Sequence, residues 1–152
     1  MARDKKTWYL LFGIYCIAMA CLLFGRAEAP DGIPYADQLR LRLNLVPFRT
    51  LHLQLKLLTE FDHPRLIRHS LINLLGNVVL FIPLGIFLPK LWKKLQTLRN
   101  VLLVTAGIIL AVEITQVLTL LGRCDIDDLI LNLIGAAIGY GIYKRILESL
   151  PQ

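Results

Sequence analysis

Leu71–Leu91 reads LINLLGNVVLFIPLGIFLPKL, twenty-one residues whose only charge is Lys90 at the far end. A helix crossing a bilayer needs about 20 mostly apolar residues, so this stretch by itself is long enough to span. Three further runs have the same character: Trp8–Phe24, Val101–Leu121 and Ile126–Ile146. Four such runs predict an all-α integral membrane bundle of about four transmembrane helices, in a single domain covering 1–152. An outer segment over 26–70 is left between the first and second spans.

Composition agrees. Charged residues make up 18% of the chain and hydrophobic ones 56%, against about a quarter and just under half in soluble domains. Mean hydropathy is +0.60. The net charge of +6 would suggest nucleic acid in a soluble protein. Here the bases flank apolar runs, where they anchor spans or face anionic head groups, and nucleic acid is excluded as a partner. Cys16, Cys21 and Cys124 have neither zinc nor disulfide spacing, and His52, His63 and His69 have no ligand spacing.

The first run follows Arg3, Lys5 and Lys6 and precedes Arg26; Ala27-Glu28-Ala29 resembles a signal-peptide cleavage site. Pro30 would follow the cut directly, which disfavours cleavage, so the run is read as a retained anchor. The density of bases orients the bundle, with Arg3, Lys5, Lys6, then Lys90, Lys93, Lys94 and Arg99, then Lys144 and Arg145 inside. Both ends then face the cytoplasm, and the outer segment and the loop Gly122–Asp128 face out.

Within the outer segment, Leu39–Leu45 and Leu51–Leu57 alternate strictly between leucine and polar residues. Period two predicts strands, although Leu51, Leu55 and Leu58 also fit one helical face. Either form would rest its apolar side on lipid.

The polar residues of the spans converge on one end. Asn73 and Asn77 lie in the outer half of the second span. Glu113 lies roughly 12 Å inward from Leu121 at 1.5 Å per residue, with Gln116 nearer the exit. At about 100° per residue, Asp125, Asp128, Asn132, Gly135 and Gly139 share a stripe about 80° wide, while Asp127 points elsewhere. That phase assumes a helix reaching back to Asp125, which could equally cap it. Gly135 and Gly139 form a small-xxx-small pair that admits a close neighbour.

Several roles fit these residues. Amides and acids can bridge helices, and Arg123 can pair with Asp127. Glu113, Asp125 and Asp128 can ligate a divalent cation, magnesium or calcium, through oxygen. The cluster can receive a lipid head group, with Arg123 on phosphate or carboxylate. It can also carry acid–base chemistry through Glu113. No serine or cysteine nucleophile stands with a nearby histidine and there is no glycine-rich phosphate loop, so binding is favoured over turnover.

Four blocks then occur in order: Asn44-Leu45-Val46-Pro47-Phe48; Gly76-Asn77 through Pro83-Leu84-Gly85; Glu113-Ile114-Thr115-Gln116; and Gly122-Arg123-Cys124-Asp125-Ile126-Asp127-Asp128 with Asn132 and Gly135. In this order they resemble the VanZ-like family, named for a teicoplanin-resistance protein, over roughly Asn44 to Gly141. The resemblance implies a multi-pass protein of the bacterial cytoplasmic membrane. It selects Asn77, Glu113, Gln116, Asp125, Asp128 and Asn132 as a shared site.

The expected site therefore comprises Asn77, Glu113, Gln116, Arg123, Asp125, Asp128 and Asn132. Its expected partners are membrane lipids and an envelope lipid, lipid-linked cell-wall component or lipoglycopeptide. The alternatives are a magnesium-dependent enzyme acting on a lipid phosphate, and a homo-oligomer or structural partner of another membrane protein through Gly135 and Gly139. Pro83 with Gly85 predicts a kink or thinning of the second span that opens room below the cluster.

Overall fold

The computed structural model describes residues 2–25, 32–60 and 64–147. Arg26, Ala27-Glu28-Ala29, Pro30 and His63 lie outside the described residues, as does the side chain of Arg3. The chain runs α1 (Ala2–Phe24), α2 (Tyr35–Leu41), β1 (Leu43–Asn44), α3 (Arg49–Glu60), α4 (Pro64–Leu91), a 3-10 turn (Lys93–Leu95), α5 (Leu98–Leu118), β2 (Cys124–Asp125) and α6 (Ile126–Ile142), which continues into a π-helical turn at Tyr143–Leu147.

Among the described residues, four helices are long and apolar enough to cross a membrane: Lys5–Phe24, Pro64–Leu91, Leu98–Leu118 and Ile126–Ile146. Helix is the form expected of such sequences, because it satisfies every backbone group without water. The second helix begins at Pro64, seven residues before its apolar run. The third ends at Leu118, three residues before its run does, because the backbone turns there. Leu120 takes φ 57°, its N–H donates to Val117 O at 3.1 Å, and Leu121 N–H donates to Gln116 O at 2.9 Å. This is a Schellman close, with leucine in the left-handed position that glycine usually takes.

The bundle is built around α4 and α6, which run in the same direction. Their backbones touch at three glycines. A Cβ on Gly135 would strike Val78 O, one on Gly139 would strike Ile82 O, and one on Gly85 would strike Ala136 O. The expected helix contact at Gly135 and Gly139 is thus present. The thinning of the second span at Gly85 is taken up by α6, whose backbone stands where a side chain would be. The α4 helix remains unbroken through Pro83 and Pro89.

Phe81, Leu84, Leu88, Val101 and Ile109 fill the core beside this contact, joined from α1 by Met19. The α1 helix lies against α4 in the opposite direction, with the Tyr15 hydroxyl donating to Leu80 O at 2.9 Å. Near the far end, Trp8, Phe12, Tyr15 and Phe87 form edge-on and tilted ring contacts. One end of the bundle, called here the site end, thus carries the last turns of α1 and α5 and the first turns of α4 and α6.

The outer segment corrects the strand expectation. Leu51–Leu57 lies inside α3, and Leu39–Leu41 lies in α2; only Leu43–Asn44 is extended. Leucine, glutamine and lysine are good helix formers, and the Leu51, Leu57 and Leu58 side chains of α3 are half-buried, whereas Leu53 and Leu55 are exposed. The two extended residues pair in parallel with β2, Leu43 with Cys124 and Asn44 with Asp125.

Candidate functional site

Three segments meet at the site end, and two aspartates at the start of α6 join them. Asp125 is the N-cap: its backbone is extended (φ −129°, ψ 118°) and its side chain accepts from the N–H of Asp127 at 2.9 Å. Its other oxygen accepts from the hydroxyl of Thr50 at 2.5 Å and from the amide of Asn44 at 3.1 Å. The expected helical stripe therefore begins after Asp125, which is buried among these partners.

Asp127 is off that stripe, as expected, and is 2% exposed. It does not pair with Arg123. Its carboxylate instead accepts the backbone N–H groups of Phe48 at 2.6 Å and Leu51 at 2.9 Å. These lie just before and inside the first turn of α3, where N–H groups have no helical partner and a negative charge is favoured. Phe48 is held at φ 64° there.

Behind this clasp lies a cavity of about 1350 Å³. Asn77, Glu113, Gln116, Arg123, Asp128 and Asn132 all line it, bringing together six of the seven expected residues; Asp125 is held in the clasp beside it. Asn73 on α4 is half-buried and is not part of the lining. Gln38, Arg42 and His69 also line the cavity.

Within the cavity, the Asn77 amide donates to Asp128 at 2.5 Å, joining α4 to α6. The Gln116 amide donates to Leu23 O at 2.7 Å, joining α5 to the end of α1. Gly122 leaves space for that glutamine, since a Cβ there would come within 2.8 Å of its side chain. Arg42 donates to Gly122 O at 3.0 Å, which holds its guanidinium beside the loop that carries Arg123. Arg123 itself is exposed.

Glu113 is the deepest acid, 5% exposed and five residues before the end of α5. One carboxylate oxygen accepts from the Cys124 thiol at 3.3 Å; the other, Oε1, is buried without a hydrogen-bond partner. Asn132 is 6% exposed and its Oδ1 is likewise buried and unpartnered. The Cys124 thiol is pushed up to about 11 by its own burial first, and then by the carboxylate it faces. Among the described residues, no group of three or more His, Cys, Asp or Glu is placed to hold a metal ion.

Sequence reasoning missed Arg42, Gln38 and His69 in the lining, and Asn44 and Thr50 in the clasp. Asn44 stood in a family block without an assigned role. The others come from the outer segment or the first turns of α4, where hydropathy carries no signal of direction.

No match was found among curated proteins or among solved structures. A family model described as VanZ/LLP1 matches residues 12–148, taking in much of α1 as well as the four blocks. With four helices fit to cross a membrane and those blocks meeting at one end of them, this membrane protein belongs to the VanZ/LLP1 family.

Proposed function

We propose that this protein sits in the bacterial cytoplasmic membrane with both ends inside, and that its cavity faces outward to hold the polar head of an envelope lipid or lipid-linked cell-wall component. Occupation of such a component lowers susceptibility to glycopeptide and lipoglycopeptide antibiotics such as teicoplanin. The observation that carries this reading is Glu113, a carboxylate 5% exposed on the wall of a large cavity, with Oε1 unpartnered. A buried polar atom without a partner costs about 1–3 kcal/mol. A ligand carrying a hydrogen-bond donor removes that cost. Bundle glue alone does not account for it, because glue would have paired both oxygens.

Native mass spectrometry of the purified protein beside a Glu113→Gln, Asp128→Asn double variant tests the reading. A lipid retained by the wild type and lost from the folded variant supports it and identifies the ligand. Loss of that lipid on adding a chelator would add a divalent cation to the site. Equal retention by both proteins, or none by either, overturns it.

A further inference from the structure

The charged groups around the cavity are sorted along its depth. Glu113 is five residues inside the end of α5, about 7.5 Å along the helix at 1.5 Å per residue. Asp128, in the first turn of α6, also lies within a span. Arg42 and Arg123 both lie outside the spans; Arg42 donates to the carbonyl of Gly122, the residue before Arg123, and Arg123 is exposed. Two acids thus lie inward and two arginines lie at the mouth. A ligand carrying both signs faces both pairs, whereas a ligand of one sign faces only one of them.

The inward end also holds acceptors without a partner, beside the amide donor group of Asn132. Glu113 Oε1 and Asn132 Oδ1 are both acceptors and both unpartnered. The Asn77 amide is already committed to Asp128. A group that pairs both of these oxygens brings N–H or O–H donors with it. The mouth is the reverse: guanidinium groups donate and cannot accept, and their planar fork suits phosphate oxygens.

From this order we infer that the cavity takes a zwitterionic phosphate–amine group, with phosphate at Arg123 and Arg42 and a primary ammonium inward at Glu113, Asp128 and Asn132. The inference rests on the head-group reading above and names its chemical class. An ammonium offers three donors and one positive charge, matching two unpartnered oxygens and a nearby carboxylate. A trimethylated amine has the charge but no N–H donor. A phosphoglycerol and a bare phosphate monoester both have O–H donors but no positive charge. The same group is found on a lipid, as phosphatidylethanolamine, and free in water, as phosphoethanolamine.

The test uses the full chain in nanodiscs containing equal amounts of phosphatidylethanolamine, phosphatidylcholine, phosphatidylglycerol and phosphatidic acid, with lipid retention read by native mass spectrometry. Phosphatidylethanolamine is expected to be retained about tenfold or more over each of the others. The preference should fall about tenfold or more in Glu113→Gln, since losing one partner of a buried paired charge typically weakens binding by at least that factor, and by a smaller factor in Arg123→Gln. Arg123 is exposed, so its variant tests the inference even where Glu113→Gln fails to fold.

Displacement of the retained lipid by soluble phosphoethanolamine would support recognition of the head group by itself. Retention against it would support recognition of the intact lipid. Retention of phosphatidylglycerol or phosphatidic acid equal to that of phosphatidylethanolamine, lost in Arg123→Gln, overturns the zwitterion and leaves the head-group reading standing. Retention that neither variant alters overturns both.

Discussion

Asp127 accepts the backbone N–H of Phe48 at 2.6 Å across 79 positions of sequence. With Leu51 N–H on its second oxygen, it caps a helix to which it does not belong. Asp127→Ala should therefore loosen α3 before it loosens the bundle. A lost cap costs about 0.5–2 kcal/mol. Hydrogen exchange of residues 48–60 should accelerate markedly while exchange within α4 and α6 stays slow. Unchanged protection of 48–60 would refute the capping role.

The glycines divide into two sets with opposite expectations. Alanine at Gly85, Gly135 or Gly139 places a Cβ into a backbone carbonyl of the facing helix, and overpacking of this kind typically costs about 1–3 kcal/mol. A Cβ on Gly76, Gly107 or Gly141 meets nothing within 4 Å. Alanine there should be neutral or should stabilise by up to about 1 kcal/mol, the helix-propensity difference. Denaturation by graded sodium dodecyl sulfate separates the two sets. A uniform response across all six positions would contradict the α4–α6 contact.

Cys124 should be a poor nucleophile. Its thiol is raised from 9.0 to about 11, by burial first and by Glu113 next. At pH 8 a water-soluble maleimide should therefore label it far more slowly than an unstructured cysteine. Glu113→Gln should speed the labelling, because it removes the negative charge but leaves most of the burial. The folded value lies above the unfolded one. The thiol contributes stability that is intact below pH 9 and is lost as pH rises through about 11. Fast labelling of the wild type at pH 8 would count against this environment.

Hydrogen bonds from Tyr15 to Leu80 O and from Gln116 to Leu23 O fasten α1 to its neighbours. Hydrogen bonds between membrane helices average about 0.6 kcal/mol, so Tyr15→Phe and Gln116→Leu should each lower stability by roughly that amount. Their residue pairs lie at different depths, with no shared partner, so the double variant should be additive. A coupling well above about 0.5 kcal/mol would show that α1 docks as a single unit.

Much of this architecture could be read from the chain alone, for a physical reason. An apolar run of spanning length has one stable backbone form in lipid, and Gly135 with Gly139 marks where two such helices touch. Helical phase also brought Asp128 and Asn132 to one side and turned Asp127 away. The outer segment was misread because leucine at every second position satisfies both a strand and a helix with a broad apolar face. The clasp was illegible for a different reason. Nothing in the local sequence of Thr50 or Asn44 points to an aspartate about 80 positions later, and Asp125 had equally good local reasons to continue the helix or to cap it.

The pairing of Asn44 with Asp125 spans 81 positions. At synthesis rates of about 5–20 residues per second, roughly 4–16 s separate the emergence of the two partners. Throughout that interval the 32–60 segment has neither its parallel partner nor the carboxylate that caps α3. Its leucines give it somewhere to wait, lying flat where hydrocarbon meets water. The roof of the cavity is thus made early and fastened last, and the cavity closes only when the final span has been delivered.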